Sequence, residues 1–192
     1  MREENAMVAI RHEKPSDIDA REALLDLAYG AVRLTKPSER LRTGRRPADG
    51  LSFVAIEQGA VVGTVRLWEV SVGPDCPTLL LGPLAVHPDH RNRGIGSALM
   101  RRALREAGRR GHRAVLLVGD ASYYGRFGFS VGQTAGLWLP GLAERRRLLS
   151  HEFVPGALDG VRGAIRAPKR RLRTPLEAVL AGLARPPKPL AA

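Results

Sequence analysis

Residues His90 to Gly108 read HRNRGIGSALMRRALREAG, so Arg91, Asn92, Arg93, Gly94 and Gly96 stand directly ahead of a run with helical period. At about 100° per residue, Ile95, Leu99, Met100, Ala103, Leu104 and Ala107 fall on one half of the helix, with Ser97, Arg101 and Arg105 opposite. A helix with such a face packs against a sheet. Its first turn presents N–H groups without intrahelical acceptors, and its macrodipole places roughly half a positive charge there, which makes an anion site. Gly94 and Gly96 permit turn angles and a close phosphate, and Arg91 and Arg93 add charge at the rim.

Working outward, LLLGPLAV (79–86) precedes this stretch and AVLLVGD (114–120) follows it. A strand, helix and strand of this length form a right-handed crossover that makes the two strands parallel. Upstream, LSFVAIEQ, a turn at Gly59-Ala60 and VVGTVRLWEV read as a hairpin, and the cluster SVGPDCPT leads into the third run. Strands at 51–58, 61–70 and 79–87 therefore make an antiparallel meander, and the sheet is mixed. Cys76 is expected in the turn as an exposed bystander. Met7 to His12 supplies a first strand, and Pro15-Ser16-Asp17 opens a helix that ends at Gly30. Residues 31–50 show no clear period and read as a loop with a short helix. After Asp120 come one or two helical turns closed by Gly128, a short strand from Phe129, and at least one more strand beyond LWLPGL. The fold class is α/β (α+β), one domain over 1–168, with a basic, Pro-rich tail over 169–192 that carries a helix over 175–183.

Two nucleotide motifs fail on the residues. A dinucleotide fingerprint needs a third glycine where Leu99 stands, in a tight turn straight after a strand, whereas HPDHRNR intervenes here. A Walker A loop needs G-K-[ST], which does not follow.

Composition narrows the class further. The chain has 192 residues, 44% hydrophobic and 26% charged, as in ordinary globular domains. The run TLLLGPLAV is interrupted by Gly82-Pro83 and falls short of the roughly 20 residues of a membrane helix. The N-terminus carries no long apolar core of a secretory signal. One cysteine excludes an internal disulfide and suits a reducing cytoplasm. Net charge is +12, made by 27 Arg against 4 Lys. Either an anionic partner or a general enrichment of Arg on solvated faces produces such a balance. His12, His90, His112 and His151 form no ligand pair, so no metal site is expected.

The order LAVHPDHRNRGIGSALM, with Arg91-x-x-Gly94-x-Gly96 between an apolar strand and an amphipathic helix, resembles the acyl-CoA-binding motif of the GNAT superfamily of N-acetyltransferases. YYGRFGF resembles the same family's Tyr-x-x-x-Gly-Phe element. The meander and helices agree with the family's β-α-α-β-β-β-α-β-α-β-β order, and LWLPGL with the strand after it resembles a bacterial branch of predicted N-acetyltransferases. The resemblance implies a mixed, mostly antiparallel sheet flanked by helices, with the parallel pair splayed for CoA. It implies that Arg91, Asn92, Arg93, Gly94, Ile95 and Gly96 cradle the CoA pyrophosphate. Leu84, Ala85 and Val86 would pair with the pantetheine arm like an added strand, and a main-chain N–H near Leu84 or Ala85 would face the thioester oxygen.

The implied reaction moves an acetyl group from acetyl-CoA to a primary amine of a small molecule or peptide, directly within a ternary complex. Tyr124 falls at the position of the family's general acid. A phenol near pKa 10 giving its proton to a thiolate near 8.5 faces only about 2 kcal/mol. Tyr123 is the weaker candidate for that role. Strands 79–86 and 114–118 contain no Asp or Glu, which leaves His87, Glu69 and Asp120 as base candidates, and Trp68 and Trp138 as candidates for an acceptor pocket. The chain departs from the family between Asp120 and Tyr124, where a longer interval led by Asn is usual. The alternative is a non-catalytic module that senses acyl-CoA or docks on nucleic acid through Arg109, Arg110, Arg145 to Arg147 and Lys169 to Arg171. Monomer and homodimer are equally compatible with the sequence.

Overall fold

A computed structural model describes residues 7–168. The expected tail, with its Lys169 to Arg171 cluster and the helix over 175–183, lies outside the described residues. Eight strands form the sheet: β1 (Ala9–His12), β2 (Ser52–Glu57), β3 (Ala60–Val72), β4 (Cys76–Val86), β5 (Ala114–Val118), β6 (Leu137–Trp138), β7 (Leu148–Glu152) and β8 (Gly163–Arg166). Their order is β1-β2-β3-β4-β5-β7, with β8 pairing both the end of β3 and β6. Within the six-strand order only β4 and β5 run parallel, as the crossover requires.

The crossover helix, α2 (Ile95–Arg109), buries Ile95, Leu99, Met100, Ala103 and Ala107 against Phe53, Val65, Leu67, Leu79, Leu81, Val115 and Leu117. Strand alternation sends Leu80 and Leu116 to the opposite face, where they meet Leu137, Leu148 and Ile165. Helix α1 (Ile18–Tyr29) lies over β4 through Leu24, Leu25 and Ala85, and stops at Gly30, whose φ of 66° favours glycine.

Local expectations change at four places. The first hairpin turns at Gln58-Gly59 rather than Gly59-Ala60, with φ of 48° and 81°, because a two-residue turn matching strand twist needs positive φ at both positions. Cys76 is not a turn residue: β3 and β4 stay paired to Val72↔Cys76, which leaves only Gly73 to Asp75 to turn, and β8 backs Ser71 and Val72. Residues 31–50 form two 3₁₀ segments, Ala31–Thr35 and Pro37–Leu41, rather than one short helix. The strand expected from Phe129 reduces to a single bridge, Ser130↔Ser150, because Gly132–Thr134 turns the chain away. Among the described residues no helix is long and apolar enough to cross a membrane.

Candidate active site

The parallel pair touches at only two positions, Leu79↔Val115 and Leu80↔Leu116. Beyond them β4 leaves β5. The cause is local: pairing with β3 steps from Leu67↔Leu81 to Val65↔Leu84, so Gly82 and Pro83 together oppose Arg66. Such a bulge bends its strand, and Pro83 has no N–H to offer β5. A cavity of about 930 Å³ opens in the gap. Trp68 fixes the bulge from beneath, its indole N–H donating to the Gly82 carbonyl at 2.6 Å. Neither Trp68 nor the exposed Trp138 lines the cavity.

Main-chain direction along the open edge follows from two bonds. His87 N–H donates to Val62 of β3 at 2.9 Å, whereas the Leu84 carbonyl accepts from the Tyr29 hydroxyl. With a period of two, Leu84 and Val86 turn their main-chain groups into the cleft and Ala85 turns its own toward β3. All three strand residues singled out in the sequence line the cavity: Val86 offers both main-chain groups to it, Leu84 offers its N–H while its carbonyl is taken by Tyr29, and Ala85 packs under α1.

At one end of the cleft the Arg91 to Gly96 loop meets α2. Asn92 and Gly94 adopt φ of 62° and 79°, the left-handed region that Asn and Gly enter at least cost. Gly94 caps α2 without a side-chain bond, and the first intrahelical bond is Ala98 N–H to the Gly94 carbonyl. The N–H groups before Ala98 are thus left for an anion. A Cβ on Gly96 would come within 3.3 Å of the Tyr123 hydroxyl and 3.5 Å of Val86. Arg91, Asn92, Gly94, Ile95 and Gly96 all line the cavity. Arg93 does not: its guanidinium forks onto Glu57 at 3.0 and 2.5 Å. His90 Nε2 reaches the same carboxylate at 2.8 Å. Hydrogen bonding from Arg93 holds the Glu57 carboxyl below its ordinary pKa. Glu57 ends β2, and no local signal in the sequence marks it as the anchor of this loop.

Tyr124 closes the short helix α3 (Ala121–Tyr124) and lines the cavity. Gly119 makes room for it, since a Cβ there would come within 2.2 Å of a ring carbon. Burial pushes the Tyr124 phenol well above its ordinary pKa, and Tyr29, Tyr123 and Asp120 push it further. A phenol so placed stays protonated at neutral pH, and its proton transfer to a thiolate is more uphill than the roughly 2 kcal/mol expected for an ordinary phenol. Tyr123 packs edge-on against it, centroids 4.9 Å apart, with Arg126 stacked over its own ring. Of the three base candidates only Asp120 lines the cleft, 3.4 Å from Arg147 Nε. Glu69 is exposed elsewhere and His87 turns to Asp89.

Several cleft residues escaped the sequence reading, Tyr29, Lys36 and Arg42 among them. Tyr29 ends α1, and Lys36 and Arg42 belong to the unpatterned 31–50 segment. Lys36 stands over the Tyr29 ring, 4.4 Å from its centroid. Burial lowers the Arg42 guanidinium to about 10. By contrast, several residues of the expected basic patch are engaged internally: Arg109 and Arg110 on Glu106, Arg146 on Glu144, Arg147 on Asp120.

Residues 48–131 match the acetyltransferase (GNAT) domain family. The chain is 30% identical over 161 residues to the N-acetyltransferase YhbS of Escherichia coli (strain K12), covering 81% of this chain and 93% of that one. The structure of YhbS from Escherichia coli in complex with CoA superposes with a TM-score of 0.73 at 28% identity, covering 88% and 93% of the two chains. A GNAT family acetyltransferase from Brucella melitensis in complex with acetyl-CoA gives 0.65 at 27% identity, covering 85% and 97%. With its splayed parallel pair and glycine-bearing loop ahead of α2, the chain belongs to the GNAT family of N-acetyltransferases.

Proposed function

We propose that this protein transfers the acetyl group of acetyl-CoA to a primary amine, directly and within a ternary complex. One observation carries the reading: a single cleft joins an anion cradle at the α2 N-terminus, an open strand edge and a buried, protonated Tyr124. The CoA-bound and acetyl-CoA-bound relatives support the choice of donor. The loop N–H groups and Arg91 take the pyrophosphate, and Leu84 and Val86 take the amides of the pantetheine arm by adding it to the sheet as a strand.

The amine nitrogen bonds to the thioester carbon as the carbon–sulfur bond breaks. The Leu84 N–H lies on the cleft side to receive the charge that develops on the carbonyl oxygen. Tyr124 gives its proton to the departing thiolate and is restored from solvent. Asp120, on the exposed rim, receives the surplus proton of the amine. A lone cysteine fits a reducing, cytoplasmic setting, and the acetyltransferase domain is assigned to residues 1–168.

The test is thiol release from acetyl-CoA against a panel of small amines, antibiotics and peptide N-termini, with thermal stability read in parallel. Acetyl-CoA at 100 times its Kd stabilises the fold by about 2.7 kcal/mol. Stabilisation by NAD and none by acetyl-CoA overturns the reading.

A further inference from the structure

We propose that Arg42 is an acceptor subsite for a carboxylate, so that the amines acetylated here carry a carboxylate near the amino group. The inference rests on the acetyl-transfer reading and adds the acceptor's chemical class to it.

Arg42 is a buried guanidinium with only a loose ion pair, to Glu39. Its side chain is only 10% exposed. Its Nε is buried without a hydrogen-bond partner, and the closest carboxylate oxygen, Glu39 Oε2, stands 3.7 Å from Nη1, beyond hydrogen-bond reach. Arg21, by contrast, is held by Glu13 and Glu22; the Nε atoms of Arg102 and Arg147 are also buried without a hydrogen-bond partner, but Arg147 has the Asp120 carboxylate 3.4 Å away. A guanidinium removed from water and left with open donors is costly, and an incoming anion recovers that cost.

Its position identifies the anion as part of the acceptor. Arg42 lines the cleft, and its Nη2 lies 2.8 Å from the point that a Cβ on Gly82 would occupy. The bare glycine at the bulge is what admits the guanidinium. Gly82 precedes Leu84 by two residues, on the side away from the Arg91 to Gly96 loop, so Arg42 stands beyond the acyl group rather than along the CoA arm. Lys36 and Arg147 also line the cavity, and after burial itself the repulsion of Arg147 and Arg42 lowers the Lys36 pKa. A planar carboxylate suits a guanidinium fork, and the nearby Glu39 disfavours a doubly charged phosphate.

The experiment uses matched acceptors: L-amino acids and short peptides with a free C-terminus against their C-terminal amides, at saturating acetyl-CoA, with thiol release as the readout. Free acids are preferred by roughly 10-fold or more in kcat/KM. Arg42→Gln collapses that preference through KM, Arg42→Lys restores part of it, and neither lowers Tm or acetyl-CoA affinity. Equal use of acids and amides, preference for polycationic amines, or turnover confined to amines without a carboxylate overturns the proposal. A lower Tm or weaker acetyl-CoA binding in Arg42→Gln overturns it too, by assigning Arg42 to the fold or the donor site. A wild-type protein that fails to bind acetyl-CoA defeats the underlying acetyl-transfer reading instead, and is recognised by that binding measurement alone.

Discussion

The hydroxyl of Tyr29, at the last residue of α1, donates to the main-chain carbonyl of Leu84 on β4, a bond that spans 55 residues of sequence. It ties the helix to the strand at the point where the strand has lost its neighbour. Tyr29→Phe leaves that carbonyl without its partner. Denaturant unfolding is expected to read a loss of about 1 kcal/mol, the ordinary net worth of such a bond. An unchanged midpoint shows that the bond carries no net stability.

Glu57 acts on the loop from the outside. It holds Arg93 and His90 together, and so fixes the backbone between them. Glu57→Gln loses the charge of this anchor. We expect the Kd for acetyl-CoA to rise roughly 10-fold while kcat at saturation changes little, the pattern of a lost binding contribution. Isothermal titration alongside kinetics distinguishes this from a damaged catalytic step.

Tyr124→Phe is expected to lower kcat by roughly 10² or more with acetyl-CoA affinity retained, because the phenol proton is gone and the ring remains. Gly119→Ala reaches the same group by another route, forcing the ring out of its seat. The double variant therefore loses little beyond Tyr124→Phe alone. Full additivity would place the effect of Gly119 elsewhere.

Two pH limits follow from the buried groups. Tyr29 and Tyr124 have pKa values raised above the ordinary 10.0 by burial. Their contribution is complete below the unfolded value and fades as pH rises beyond it, since the unfolded chain releases protons that the folded one retains. The urea midpoint of the wild type should fall above pH 10, and less steeply in Tyr29→Phe and Tyr124→Phe. On the acid side, Arg11 holds the Asp17 carboxyl to about 2 against an ordinary 3.8. That contribution is present above the ordinary value and disappears as pH falls through about 2. Asp17→Asn should flatten the acid limb, and an unaltered limb assigns it to other carboxylates.

The parts of this molecule that can be read from sequence are those whose signal is local. Helical period in 95–109, glycines ahead of it and alternation in the flanking strands locate α2, the parallel pair and the anion end of the cleft. Tyr124 is legible because Gly128 and Phe129 follow it at a fixed interval. Glu57, Tyr29 and Arg42 are not legible, for a common reason: each acts across the sheet on a residue far away in the chain, and nothing near it in sequence changes when it does. Arg93 misleads in the opposite sense. It sits within the cradle motif, yet tertiary pairing with Glu57 claims its side chain. The 31–50 segment lacks a period because its residues serve the cleft one at a time rather than as a face.

The two-rung contact between β4 and β5 has a consequence for how this protein behaves among its own copies. An unpaired strand edge on the outside of a sheet invites another chain to join it laterally and begin a fibre. Here the Leu84 N–H and the main-chain groups of Val86, which lack a strand partner, belong to the middle of the strand order, with β3 on one side and β5 across the gap. No second sheet can approach such an edge sideways. The same parting that opens a binding slot thus keeps it out of reach of self-association, leaving entry to a single extended arm.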